Sequence, residues 1–242
     1  MAIWTERHVD EDRRIRLWNM IAEHAKGEPI TAAHLCAATI TAAGVDAAAL
    51  NIELDAGQRE TVYASAQLAL DMAELTLTLG EGPDASFHSP ALVTDLAAEE
   101  CETRWPVFAP AAVTVGVRAV FALPLRVGGV SVGLMTLYRA EPGPLSRDQL
   151  ADALVLADTV LALLLDRGRG AQPADGRWSE EFGPRYPEIH QATGMMTVQL
   201  GVTAAVALVR LRAYAFSQDR RLNEVARDVV ARRLRFDGSE PP

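Results

Sequence analysis

Five side chains between positions 212 and 227 are of the types that meet a polyanion: Arg212, Tyr214, Arg220, Arg221 and Arg227. A guanidinium fork takes phosphate oxygens through parallel N–H bonds, and a tyrosine ring offers a flat face to an unpaired base. For Tyr214, a place at the edge of a helical core fits the sequence as well as a stacking role does. The clustering matters more than any one residue. Residues 186–236 hold eight arginines against four carboxylates, about +4 in a chain of formal charge −9, which leaves about −13 on the remainder. A small basic module on an acidic body points to the module as the part that meets a polyanion.

Other reactive types are present but form no constellation. Cys36 lies on an apolar helix face and reads as core, whereas Cys101, beside Glu99, Glu100 and Glu102, reads as exposed with its thiolate disfavoured. His8, His24, His34, His88 and His190 show no paired spacing for zinc, and the acidic run around Cys101 reads as a solvated loop. Gly80-Glu81-Gly82-Pro83 has no following lysine and reads as a turn, not a phosphate loop. No nucleophile, base and orienter can be assembled by spacing, so the chain reads as a non-enzyme without a metal or cofactor.

The basic side chains need a scaffold, and the apolar residues around them recur at helical spacing in three runs. Ile189, Ala192, Met196, Val198 and Leu200 supply the first stripe, closed by Gly201. Thr203 caps a second helix that buries Ala204, Ala207, Leu208, Leu211 and Ala215. The third buries Leu222, Val225, Ala226, Val229 and Val230, and ends in Arg232, Arg233 and Arg235, whose charges suit a helix C-terminus. A tight bundle follows, because alanines on the second helix let axes approach closely.

Upstream, the pattern is mixed. An amphipathic helix over 10–25 carries Ile15, Trp18, Ile21, Ala22 and Ala25 on one side, with Trp18 as a packing anchor. Thr31 starts a second helix that stops at Gly44. Residues 45–54 and 60–64 read as paired strands around a turn at 55–58, and a short helix covers 68–75. The clearest hairpin is VRAVFALPLRV-GG-VSVGLMTLYR, with Gly128-Gly129 able to take the positive φ of a primed turn. Pro124 cannot donate to a ladder, so its strand is expected at an edge or bulged there. Ser146-Arg147-Asp148-Gln149 forms a capping box opening a helix to about 166, and its wide leucine band predicts a homodimer seam with help from the first helix. RGRGAQPADG, from Arg167 onward, has the composition of a linker.

The C-terminal module resembles the ANTAR domain, the three-helix RNA-binding unit of bacterial antitermination regulators. The resemblance rests on Ala192 and Gly194, Gly201-Val202-Thr203, Ala207, Leu211-Arg212, Tyr214-Ala215, Arg221-Leu222 and Val225-Ala226. The chain departs from the family at Thr193, where a basic residue is common, and at Ala205 and Val206, where acidic ones are. Residues 29–166 resemble a GAF domain, a sensory module built on an antiparallel sheet, through LGEGP at 79–83, Asp95-Leu96, RWPVFAPAAVTVGVRAVFALPL at 104–125, the Gly133 strand and PGPLSRDQL. The NKxnFx3DE pattern of cyclic-nucleotide-binding members and the bilin-linking pattern of phytochromes are both absent.

The expected fold is therefore α+β. An N-terminal helix (1–29) precedes a GAF-like domain (30–166), a linker (167–177), an ANTAR-like three-helix bundle (178–236) and a tail (237–242). The resemblances imply a signal-responsive antitermination regulator that binds paired RNA stem-loops. The competing reading is a protein-interaction regulator whose three-helix unit docks a partner without RNA. Between the sheet and the segment 79–96, Phe121, Leu123, Leu134 and Thr136 are expected to line either a small-organic-ligand site or a vestigial pocket. No run of about 18 uncharged apolar residues and no apolar signal core occur, so no membrane partner is expected. Two cysteines without metal spacing suit a reducing cytoplasm.

Overall fold

The computed structural model describes residues 2–53, 59–84, 89–170 and 186–236. Two helices lead, α1 (Ala2–Ala25) and α2 (Ala32–Ala43), the second ended by Gly44 in the left-handed region at φ 61°. Strands β1 (Ala47–Glu53) and β2 (Arg59–Ala64) follow, then helix α3 (Gln67–Leu79) and the short strand β3 (Ala91–Val93). Helices α4 (Glu99–Arg104) and α5 (Phe108–Val115) precede the long hairpin β4 (Ala119–Val127) and β5 (Val130–Arg139). Helix α6 (Arg147–Gly170) closes this part, and α7 (Pro187–Leu200), α8 (Ala204–Ser217) and α9 (Leu222–Val230) form the bundle.

The five strands pair antiparallel in the order β2-β1-β5-β4-β3. The expected Gly128-Gly129 turn joins β4 to β5, and the register slips between Leu125 and Arg126, directly after Pro124. Side-chain alternation gives the sheet two apolar faces. Leu50, Phe121, Leu123, Leu125, Met135 and Leu137 pack against α1, α2 and α6, while Ala49, Val120 and Tyr138 pack against α3 and α5 with Met72 and Phe108. At the centre, β1 and β5 approach so closely that a Cβ on Gly133 would fall on the Asn51 carbonyl oxygen. Only glycine fits there.

Helix α6 opens with the expected capping box: Gln149 N–H donates to Ser146 Oγ at 3.2 Å, and Ser146 N–H to Gln149 Oε1 at 2.9 Å. Its band is largely internal. Ala153, Leu156, Ala157, Val160 and Leu161 all face the core of their own chain, leaving Leu154 and Leu165 exposed. The anchor expected at Trp18 is corrected: Ile21 and Ala25 are buried as expected, but the stripe of α1 continues through Leu17, and Ile15 and Trp18 are 56% and 54% exposed. Asp152 fixes that phase by accepting from Arg13 Nε at 2.9 Å and Arg16 Nη2 at 2.7 Å, which brings this face of α1 onto α6. The linker expected from residue 167 is also corrected at its start, since α6 continues through Gly170. Extending a formed helix by one residue needs no new nucleus, so glycine-rich composition does not stop it at once. Residues 171–185, the turn at 54–58 and the tail lie outside the described residues.

The bundle forms as its pattern dictates. Gly201 takes φ 64° after α7, and Thr203 Oγ1 accepts from Val206 N–H at 3.4 Å to cap α8. Ile189, Ala192, Met196, Ala207, Leu208, Leu211, Ala215, Leu222, Val225, Ala226 and Val229 make the core. Val198 and Ala204, both expected in the buried lines, do not join them, Ala204 being exposed in the first turn of α8. Val198 is 84% exposed, because Ile189, Ala192, Thr193 and Met196 set the inward line of α7 at i, i+3, i+4 and i+7, which leaves position 198 on the outer face. Among the described residues no single helix is long and apolar enough to cross a membrane.

Candidate nucleic-acid interface

Helix α3 has two working faces. Ala69, Met72 and Ala73 point into the sheet core, while Asp71, Glu74, Leu77 and Thr78 meet the bundle. The bundle answers with the basic side chains singled out from sequence. Arg212 of α8 donates from Nε to the Leu77 carbonyl at 2.8 Å, one of the last carbonyls of α3, where the helix terminus favours a cation. Burial of this guanidinium lowers its pKa from the ordinary arginine value. Arg221, at the N-cap of α9, pairs with Glu74 at 2.9 Å and lies 3.6 Å from Asp71. Beside it, Asn223 Nδ2 donates to the other Glu74 oxygen at 2.6 Å, and Leu222 N–H donates to Thr78 Oγ1 at 3.4 Å. The Leu77 side chain packs on the bundle core.

The remaining members of the set turn elsewhere. Arg220 donates to Asp228 at 2.8 Å, a bond that raises its pKa; Asp228 is held below the usual carboxylate range by Arg220 and then Arg233. Arg227 lies 3.7 Å from Glu188 of α7. Tyr214 is half-buried, with its ring edge-on to Phe236 at 5.3 Å and 76°. The structure thus brings Arg212 and Arg221 together against α3 and leaves Arg220, Arg227 and Tyr214 on contacts within the bundle. Among the described residues Arg210, Arg232 and Arg235 have no carboxylate partner, and Arg232 and Arg235 border a shallow groove with Gln191, Met195 and Val198. Thr193, the departure from the ANTAR pattern, is buried with its hydroxyl donating to the Ile189 carbonyl at 2.7 Å.

Sequence reasoning missed Asp71, Glu74, Thr78 and Asn223. A signal existed: Asp71, Glu74 and Thr78 recur at i, i+3 and i+7, a polar stripe on an otherwise apolar helix. A further contact joins the two units, from His190 Nε2 to Glu60 Oε2 at 3.5 Å.

The four residues expected around a ligand do not share a site. Phe121 and Leu123 face α2 and α6 and are fully buried, whereas Leu134 and Thr136 point to the opposite side of the sheet. Parity explains it: 121 and 123 pair with 137 and 135, but 134 and 136 pair with 124 and 122. On that second face Asn51 donates from Nδ2 to Thr136 Oγ1 at 3.4 Å, and its Oδ1 accepts from Thr61 Oγ1 at 2.8 Å. Burial pushes the Cys36 thiol up to about 12; burial, then Asp95 and Glu100, raises Cys101. Among the described residues no group of three His, Cys, Asp or Glu side chains could hold a metal ion.

Comparison with known proteins divides the chain at the same places. A family model described as the GAF domain matches residues 30–164, and one described as the ANTAR domain matches residues 187–230. No curated protein matches the chain. Among solved structures, a domain described as part of a two-component sensor histidine kinase of Sinorhizobium meliloti 1021 is 20% identical, covering 56% of this chain and 88% of its own, with a TM-score of 0.46. The GAF3 domain of Slr1393 from Synechocystis sp. PCC6803 is 17% identical over 63% of this chain and 99% of its own, TM-score 0.42. The chromophore-binding domain of a bacteriophytochrome from R. palustris is 8% identical over 68% and 62%, TM-score 0.43.

Proposed function

Since the chain belongs to the GAF domain family and also contains an ANTAR domain, we propose that it is a signal-responsive, RNA-binding transcription antitermination regulator of the cytoplasm. Both domains are regulatory, and together they fit a signal-sensing regulator. The observation that carries the RNA reading is the coincidence of the ANTAR match, at 187–230, with the basic three-helix unit on an acidic body. Arg212, Arg220, Arg221 and Arg227 supply the phosphate contacts in this reading, and the RNA is a pair of stem-loops whose unpaired loop bases are open to recognition. A homodimer presents two such units. The exposed Ile15 and Trp18 of α1, with Leu154 and Leu165 of α6, support a second copy against that side. A small organic ligand belongs on the sheet face of Asn51, Thr61, Leu134 and Thr136.

A second reading has its own support: Val206, Val209 and Phe216 of α8 are exposed, which suits a protein partner docked on that helix. Recovery and sequencing of RNA bound to the full chain separates the two, followed by titration of a two-hairpin RNA at several salt concentrations. RNA binding should weaken with salt, the log–log slope falling by about 0.7–0.9 for each phosphate contact removed. A folded wild-type chain that binds no cellular RNA would return the protein-docking reading to first place.

A further inference from the structure

Two of the bundle's candidate phosphate donors are already engaged, Arg221 by carboxylates, which resemble a phosphate, and Arg212 by a backbone carbonyl. Glu74 offers both oxygens, one to Arg221 at 2.9 Å and one to Asn223 at 2.6 Å, with Asp71 behind it at 3.6 Å from Arg221. The Leu77 carbonyl takes Arg212 at 2.8 Å. A guanidinium meets carboxylate and phosphate through the same fork, so the acidic face of α3 and an RNA backbone compete for the same donors.

We propose that the outer face of α3 is an internal competitor of RNA: Asp71, Glu74 and the Leu77 carbonyl hold Arg212 and Arg221, and separation of α3 from α8 and α9 makes the RNA-competent state. The inference rests on the RNA-binding reading and adds how that site is regulated. Three features of the contact suit a switch. Its apolar part is small, with Leu77 the side chain of α3 that packs on the bundle core. The Arg221 side chain is more than half exposed, so solvent screens its ion pairs and the contact is releasable. The same helix is built into the sensory sheet through Ala69, Met72 and Ala73 on its other face, and runs into Gly80-Glu81-Gly82, where Glu81 accepts from Phe108 N–H at 3.4 Å. A displacement of α3 by a ligand on the sheet therefore reaches the arginines without any intermediary, since a single rigid element touches both.

The test uses the full chain and a two-hairpin RNA. Glu74→Gln and the double variant Asp71→Asn/Glu74→Gln keep the shape of α3 and remove its charge. Glu74→Arg sets like charges against each other, with Glu141→Arg, outside the contact, as control for the added charge. Amide exchange in peptides covering 74–80 and 221–226 reports whether the contact has opened, independently of RNA. The expected result is faster exchange there together with RNA affinity raised about five-fold or more over wild type, the lower end of ordinary allosteric coupling. Exchange that loosens while RNA affinity stays at the wild-type value overturns the competitor and leaves the RNA reading intact. An affinity gain in Glu141→Arg equal to that in Glu74→Arg, with no gain in the neutral variants, overturns it as well. No RNA binding by wild type or by any opened variant removes both.

Discussion

Tyr214 shows how a single contact changes the meaning of a mutation. With its ring edge-on to Phe236 inside the bundle rim, Tyr214→Ala should first cost fold stability, about 2 kcal/mol for a half-buried ring and its aromatic partner. Thermal unfolding followed by circular dichroism checks this, and Tyr214→Phe should unfold with wild type. Loss of RNA binding in the alanine variant is thus evidence of stacking only if the bundle is still folded. Gly133 is the opposite case, a residue with no side chain whose replacement matters most. A Cβ there collides with the Asn51 carbonyl, backbone that cannot swing aside. Gly133→Ala should destabilise the chain by about 1–3 kcal/mol through forced displacement of β1 from β5, read as a lowered urea midpoint. A midpoint equal to wild type would show that the two strands part without strain.

Among the elements, what was legible followed from local chemistry, and what was not required knowing a neighbour. The inner line of α8, the Gly201 and Thr203 caps, the Gly128-Gly129 hairpin and the Ser146 box are set by residues within one turn of each other. The sharing of a face across two strands, by contrast, depends on register: a regular hairpin around Gly128-Gly129 sets Phe121 opposite Thr136 and Leu123 opposite Leu134, but the slip between Leu125 and Arg126 moves the pairing by one residue and puts Leu134 and Thr136 on the opposite face. Trp18 failed similarly: α1 has two apolar lines, and the Asp152 pairing with Arg13 and Arg16 selects the one through Leu17 and Ile21. The arginine stripe was legible, but its partner on α3 lies 135 and more residues away. These corrections alter a test of dimerisation. Leu161 is 8% exposed inside its own domain, so Leu161→Glu should unfold the GAF domain, a buried unpaired charge costing several kcal/mol. Trp18→Glu and Leu165→Glu should instead leave circular dichroism unchanged and lower the mass seen by light scattering. A wild type that is monomeric at micromolar concentration would dispose of the dimer.

At the scale of the molecule, an acidic body of about −13 holds a basic bundle of about +4, and one of the contacts between them titrates. His190 of α7 faces Glu60 of β2, a carboxylate 8% exposed whose second oxygen has no hydrogen-bond partner among the described residues. That hydrogen bond raises the His190 pKa above the ordinary value of about 6.5, against a smaller opposing effect of burial. Because the docked value is the higher one, docking binds a proton more tightly than the open state does. Its contribution is therefore complete below about 6.5 and is lost as pH rises through the raised docked value. With an imidazole nearly half exposed, the pair belongs with surface ion pairs, worth about 0–1 kcal/mol, so the effect should bias the contact and not abolish it. The methyl resonances of Leu77, which packs on the bundle, report docking directly. In wild type they should shift as pH rises, with a midpoint above the ordinary histidine value of about 6.5, and in His190→Gln they should stay flat. Equal titration in both proteins would place the pH response elsewhere. A flat wild type would show that the bundle holds α3 with equal strength whether His190 is charged or neutral.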